Sequence, residues 1–569
     1  MSFERASIGY RPPLADVLTT IGFATGGTWP GGDRVVIDQL LCELGRLAAD
    51  VLAPSDAIGD EFGARLTADG SVTVAPEVEK AHHAFVGGGW SAVAHPAGIG
   101  GGGLGSVVGS AVQEINASSN LALSLNTILT NSAVELLRRW GTASQQARFL
   151  RPLVSGLWSG TMALTEADAG SDVGALRTAA RRASDGTWRV SGSKIFITWG
   201  EHELTDNIIH FVLARAPGSP DGTKGISLYL VPKVLPDGRR NAVFCDRLER
   251  KLGIHSSPTC QLRFDNAEGE LVGTIGGGMT AMFSMMNPAR LAIAVQGLAT
   301  GERAMQQALS FALQRRQGST ATAIARPVPI AAHPDVRRML ADLRSTTRAM
   351  RVLLYRLSAY AEQGQADGDD QAQRKADLLT PIAKSWCTDE GFRLASLAMQ
   401  VHGGIGYIED AGVAQRLRDS RIGAIYEGTN GIQAVDLVSR KLTRDDGAVV
   451  GVLLDELWEK VAASDHDHTH ELLLEGIGAV HKCTRWLLSS AEAESDDALA
   501  GASAYLHLVG TVVAGLLLTA MAHWAAVNDD ATAAELAADA RFFVSHKVAA
   551  AAGTASVVMA GARVLPVFV

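Results

Sequence analysis

Residues 187–198 read TWRVSGSKIFIT, a run of β-branched and aromatic residues that predicts a strand. Three more runs of the same texture follow: NIIHFVLARA at 207–216, GISLYLVPK at 225–233 and TCQLRFDNAEGELVG at 259–273. Together they predict a sheet or small barrel. On both sides apolar residues return at helical spacing, in IDQLLCELGRLAADVLA (37–53) and NSAVELLRRWGTASQQARFL (131–150) before the strands. After them come ARLAIAVQGLATGERAMQQALSFALQRR (289–316) and RSTTRAMRVLLYRLSAYAEQ (344–363). Thr142 or Ser144 is placed to cap a helix. Helix, then strands, then helix is an α+β segregation rather than a βαβ alternation. The expected divisions are an arm (1–35), a helical domain (36–160), a β domain (161–275), a helical bundle (276–445) and an additional helical domain (446–569). The last is rich in Ala and Leu, with acidic connectors such as SDHDH at 464–468.

A chain of 569 residues is too long for one hydrophobic core. Its 47% hydrophobic and 20% charged residues describe a globular protein. A net charge of −9 offers no basic footprint, so no nucleic-acid partner is expected. Cys42, Cys245, Cys260, Cys387 and Cys483 show no C-x-x-C spacing, which predicts reduced thiols in the cytoplasm and no metal site. The opening MSFERASIGYRPPLAD lacks the basic-then-apolar pattern of a secretion signal. Residues 505–526, YLHLVGTVVAGLLLTAMAHWAA, are long enough to cross a bilayer. His507 and His523 interrupt them, and the expected outcome is a buried helix and no integral membrane span. Gly98, Gly100 and Gly103 satisfy G-x-G-x-x-G, but no strand precedes them, so they predict a loop between helices.

Three separated stretches carry a more specific signal: MALTEADAGSDVGALRT (162–178), GSKIFITWGEHELTDNI (192–208) and VHGGIGYIEDAGVAQRLRDSRIGAIYEGTNGIQ (401–433). With KLGIHSSPTC (251–260) and PARLAIAVQG (288–297), their order and spacing resemble the acyl-CoA dehydrogenase family. The long arm, the GEHELTDNI variant and the extra C-terminal helices look like its larger bacterial subgroup, which includes methylmercaptopropionyl-CoA and long-chain acyl-CoA dehydrogenases. The resemblance implies an N-terminal helical domain, a middle β-barrel, a C-terminal four-helix bundle and an additional helical domain. It also implies FAD as cofactor, an acyl-CoA substrate, electron-transferring flavoprotein as partner, and a homodimer.

TEADAGSD offers backbone amides, the hydroxyls of Thr165 and Ser171, and close backbone approach at Gly170. Taken alone it is also an ordinary Gly/Ser turn. By resemblance Met162, Leu164, Thr165 and Gly170 seat the cofactor, and Ser171 meets the pantetheine or pyrophosphate region. Ala167 stands where many relatives carry Pro. Phe196 and Thr198 alternate with Ile195 and Ile197, so ring and hydroxyl share one side of a strand. A plain core strand would look the same, but the resemblance places Phe196 beside the isoalloxazine ring and Thr198 near its reactive nitrogen. It assigns Gln400, Gly403 and Gly404 to the adenosine half of FAD. It assigns Arg315 to the pyrophosphate across a subunit interface, with Arg316 leaving the register open by one. A solvated helix-end arginine is the alternative.

Residues 425–442, IYEGTNGIQAVDLVSRKL, place Glu427 just ahead of a helix that Thr429 or Asn430 could cap, with Ile432, Val435 and Leu442 as its buried stripe. Dehydrogenating an acyl thioester needs a base for the α-proton and an acceptor for the β-hydride. No side chain accepts hydride, so the flavin supplies that half. The resemblance makes Glu427 the base, with Arg290 and Gly428 on the substrate side and Thr429 and Asn430 on the cofactor side. Apolar enclosure would raise its pKa. The family's second location for the base precedes the arginine matching Arg290, and here that position is Ala289. The alternatives are an acyl-CoA oxidase using dioxygen and a non-catalytic or DNA-associated flavoprotein. No motif encodes the acyl chain, and a carrier-protein thioester is an equal candidate.

Overall fold

The computed structural model describes residues 9–320, 327–366, 368–463, 468–489 and 495–567. The first residues of the arm, and the acidic connector at 464–467, lie outside the described residues. The chain forms two compact units, one from residues 44–105 and 119–292, the other from 1–43, 106–118 and 293–569.

In the first unit a short ribbon, β1 (Arg65–Leu66) with β2 (Val72–Thr73), precedes a seven-stranded sheet. The seven are β3 (Trp158–Ala163), β4 (Ala179–Arg182), β5 (Trp188–Thr198), β6 (Asn207–Arg215), β7 (Ile226–Pro232), β8 (Val243–Leu248) and β9 (Thr259–Val272). The order β6-β4-β5-β9-β7 returns to β6, so the sheet closes into a small barrel. β3 adds parallel to β6, and β8 antiparallel to β9. The ribbon, β4 and β8 escaped the sequence reading because they are short and mix charged with apolar residues, as in AARR and VFCDRL. β6 and β7 are apolar almost throughout because both their faces are covered. Phe211, Leu213, Leu228 and Leu230 pack with Ala133, Leu137, Phe149 and Leu153 from the Leu121–Trp140 and Ala143–Val154 helices. Val212, Ala214, Tyr229 and Val231 face Val190, Leu262 and Phe264 inside the barrel. Thr142, rather than Ser144, caps the second of these helices, in a capping box with Gln145.

β5 carries one residue too many for its partner. Lys194 pairs with Leu262 and Ile197 with Cys260, so three steps on β5 match two on β9. Phe196 absorbs the excess at φ 61°. The bulge turns Lys194 and Ile197 inward and leaves Phe196 58% exposed. Lys194 Nζ donates to Glu166 Oε1 and to the Leu164 carbonyl, each at 2.8 Å. Glu166 also accepts from the Arg177 N–H (2.7 Å), the Thr178 N–H (3.0 Å) and the Thr178 hydroxyl (2.6 Å). The Ile195 N–H donates to the Thr165 carbonyl at 2.9 Å. The loop after β3 is thereby pinned to β5.

The second unit is helical. Its long members are Pro334–Ala366, Asp370–His402, Asp496–Val527 and the part of Gly278–Gln314 from residue 293 onward. A Cβ on Gly297 would lie 2.2 Å from the Cys387 carbonyl oxygen, and one on Gly391 would lie 2.5 Å from the Gly297 carbonyl oxygen. Helices therefore cross here backbone to backbone. Buried charges tie other elements down: Arg351 bonds Glu114 and Glu302, and Arg348 bonds Asp16 and Asp539. In the 496–527 helix 78% of the most apolar stretch is buried in the fold. The short helix Asn430–Asp436 corrects one expectation. Ile432 is 41% exposed and Val435 only half-buried, while Gln433, Ala434, Leu437 and Val438 turn inward with Leu442. A π-helical turn at Leu437–Lys441 shifts the phase of the buried stripe away from a uniform 3.6-residue repeat.

Two outcomes follow from this packing. Gly297→Val should lower unfolding free energy by about 3 kcal/mol, the upper end of overpacking costs, as read from the denaturation midpoint. Burial pushes the Glu166 carboxyl up, but Lys194 and the hydrogen bonds outweigh it and leave the group below its usual range. Burial dominates at Lys194 and pulls it down to about 8. Glu166 therefore adds stability above about pH 4.3 that is lost as pH falls through its depressed folded value. Glu166→Gln should have a lower melting temperature at neutral pH and a shallower loss in acid. Parallel melting curves would disprove the assignment.

Candidate active site

The predicted residues gather at three places. On the barrel unit, the Thr165–Ile195 hydrogen bond sets the TEADAGSD loop beside the bulge. Phe196 presents its ring to the outside, and Thr198, half-buried, is paired with Thr259 one step on. Ser171 is exposed, and Gly170 has no atom within 4 Å of where a Cβ would stand. Trp199 is a second left-handed residue, at φ 51°. Its indole donates to the Ala122 carbonyl at 3.1 Å and its N–H to the Pro258 carbonyl at 2.7 Å. Each left-handed L-residue costs about 1–2 kcal/mol, so the bulge persists because its surroundings enforce it. Met162 is buried in the apolar cluster and Leu164 is packed against it, its carbonyl accepting from Lys194 Nζ. Arg290 is buried, with Nη1 donating to Asn287 at 3.3 Å and its guanidinium 5.9 Å from the Phe283 ring centre. Ala289 is fully buried in the same apolar cluster, where a glutamate would sit among hydrocarbon.

In the helical unit Glu427 is half-buried and left-handed, φ 55°, and Gly428 follows at φ 85°. Thr429, not Asn430, is the helix cap, its Oγ1 accepting from the Ile432 N–H at 3.2 Å. Lys384, fully buried, donates to the Gly428 carbonyl (2.7 Å) and to Asn430 Oδ1 (2.9 Å). Asn430 Nδ2 donates to Asp389 Oδ1 at 2.9 Å and Thr388 Oγ1 at 3.1 Å. The Tyr426 hydroxyl donates to Gln296 Oε1. Burial raises its pKa and the neighbouring Glu427 charge adds to this, so Tyr426 remains a donor.

The Gln400 turn is elsewhere in that unit. Gly403, at φ 65°, ends the 370–402 helix with its N–H on the Gln400 carbonyl, and the space over Gly403 and Gly404 is open. Phe311 stacks on His402, centroids 4.5 Å apart and planes 25° apart, so Arg315 lies at the same end. Arg315 is exposed, whereas Arg316 Nε engages the Pro327 carbonyl at 2.9 Å. Gln400 lies sixteen residue steps along the helix from Lys384, about 24 Å.

Sequence reasoning gave Glu166, Lys194, Lys384 and Asp389 no role. The available signal was a lysine at an inward strand position and another in an otherwise apolar helix face, neither compatible with burial without a partner. On the barrel unit an exposed aromatic ring with hydroxyls near it has the chemistry to meet an aromatic group; at the far end of the helical unit, glycines open to backbone approach and an exposed arginine have the chemistry to meet a phosphate.

Residues 68–157, 161–267 and 276–442 match the acyl-CoA dehydrogenase N-terminal, middle and C-terminal domain families, and 453–566 match the acetyl-CoA dehydrogenase C-terminal-like family. The chain is 40% identical over 531 residues to 3-methylmercaptopropionyl-CoA dehydrogenase of Ruegeria pomeroyi, covering 89% of this chain and 90% of that one. It is 33% identical to the broad-specificity linear acyl-CoA dehydrogenase FadE5 of Mycobacterium tuberculosis, covering 90% and 88%. Its fold is that of Caenorhabditis elegans ACDH-11 in complex with C11-CoA, with a TM-score of 0.80 at 21% identity over 95% of this chain and 92% of that one. The chain belongs to the acyl-CoA dehydrogenase family and is an FAD-dependent oxidoreductase acting on acyl-CoA.

Proposed function

We propose that Glu427 removes the α-proton of the acyl-CoA thioester, yielding a trans-2-enoyl-CoA, and that electrons leave to electron-transferring flavoprotein. The observation that carries this is the backbone at Glu427. A carboxylate on a strained left-handed residue, held by a buried lysine, a capped helix and Asn430, has the over-determined placement that a base requires. Bound FAD supplies the hydride acceptor. On the chain's side, Phe196 is the platform for the ring, Thr165 and Thr198 donate to its polar edge, and Ser171, Arg290 and Gly428 orient the substrate. Ala289, buried and apolar, offers no second base.

The open end bearing Arg315, Gln400, Gly403 and Gly404 also exposes Leu313 (58%) and Tyr407 (82%). Apolar exposure beside cofactor-binding residues supports a homodimer in which that end completes the neighbour's FAD site. The burial of the 496–527 helix supports its being a core helix rather than a membrane span.

Glu427→Gln keeps the size and polarity of the side chain and removes the proton acceptor. Anaerobic flavin bleaching by acyl-CoA should slow about 10²- to 10⁴-fold with FAD still bound, and a wild-type rate would show the base to be another group. In air, slow reoxidation of the reduced enzyme is expected, and fast reoxidation would mark an oxidase. Sedimentation should give a dimer, with Leu313→Asp shifting it toward a monomer that loses FAD.

A further inference from the structure

The loop bearing Glu427 is also held from the C-terminal segment. Along the 496–527 helix, His507, Gly510 and Thr511 share one face. Gly510 meets Trp386, whose Cγ would lie 2.8 Å from an added Cβ, and Thr511 Oγ1 accepts from Trp386 Nε1 at 3.1 Å. This docking brings His507 Nε2 to 2.9 Å from Asp389 Oδ2. A carboxylate oxygen only accepts, so Nε2 carries the proton.

Asp389 uses its other oxygen for Asn430 Nδ2 at 2.9 Å, and Asn430 Oδ1 takes Lys384 Nζ at 2.9 Å. A donor-only lysine on one side and an acceptor on the other allow Asn430 a single amide orientation. Lys384 then donates to the Gly428 carbonyl at 2.7 Å. The connected path His507, Asp389, Asn430, Lys384, Gly428 ends one residue from Glu427. Among its members only His507 comes from 453–566, the segment that matches the C-terminal-like family.

We propose that His507 is a positioning residue for the base. By orienting Asp389 it fixes Asn430, and through Asn430 and Lys384 it holds the left-handed backbone at 427–428 that aims the carboxylate. The proposal rests on Glu427 being the base. It assigns the C-terminal segment a part in the chemistry, through a bond that a merely packed helix would not need.

The test compares full-length, FAD-loaded His507→Ala, His507→Gln and Glu427→Gln with wild type. The probe is whichever of butyryl-, octanoyl-, palmitoyl- and 3-methylmercaptopropionyl-CoA bleaches wild-type flavin fastest. Hydrogen exchange at residues 425–432 is followed without substrate. His507→Ala should lower the limiting rate of flavin reduction about tenfold while half-saturation moves less than about twofold. Its 425–432 amides should exchange faster, and His507→Gln, which keeps a donor, should recover most of both. A lower melting temperature with wild-type reduction rate and exchange would make the contact structural only and overturn the proposal. A wild-type rate in Glu427→Gln would instead overturn the base assignment, and the positioning role with it.

Discussion

Two helices of the bundle touch without intervening side chains where Gly297 meets Cys387 and Gly391, and the surroundings of Glu427 depend on that approach. Gln296, next to Gly297, receives the Tyr426 hydroxyl. Thr388, next to Cys387, packs on Gly423 and bonds Asn430. The segment from 423 to 430 is therefore fastened to both helices at their crossing. Hydrogen bonds weaken steeply beyond about 3.2 Å, so helices held apart by even one methyl group could not keep all these contacts.

The two units solve the same mechanical problem in the same way. Each presents the side chain proposed here for the chemistry from a left-handed L-residue, Phe196 in one and Glu427 in the other. Beside each stands a buried lysine that donates to one backbone carbonyl and one side-chain oxygen: Lys194 to Leu164 and Glu166, Lys384 to Gly428 and Asn430. A buried ammonium left unpaired is far costlier than the backbone strain it opposes. Relaxing either loop would cost its lysine the hydrogen bond to the backbone carbonyl, Leu164 in one case and Gly428 in the other, and that bond holds the strained conformation.

Much of the architecture was legible because it rests on local periodicity. The four long strands, the flanking helices and a helix cap at Thr142 or Ser144 all follow from residue texture over short windows, the structure choosing Thr142. The Gln400 turn was legible from its glycines. The short strands β4 and β8 were not, since short mixed runs acquire a strand identity only from their neighbours. The inward face of the helix after Glu427 was misread because a π-turn changed the period.

By itself the sequence determined the order of helices and strands and the three motif stretches, whose resemblance to a family singled out Glu427, Thr165, Phe196 and Thr198 as candidates. Only the tertiary structure decided that a bulge turns Phe196 outward and Lys194 inward, that Met162 is buried in an apolar cluster, and that Arg315 shares an end of the bundle with Gln400 some 24 Å along the helix from Lys384. It also decided that His507, read in the sequence only as an interruption in an apolar run, reaches Asp389. The physical reason is range. Helical and strand periodicity and capping act within a few residues, whereas bulge register, helix crossings and buried ion pairs join positions tens to hundreds of residues apart, which no local window contains.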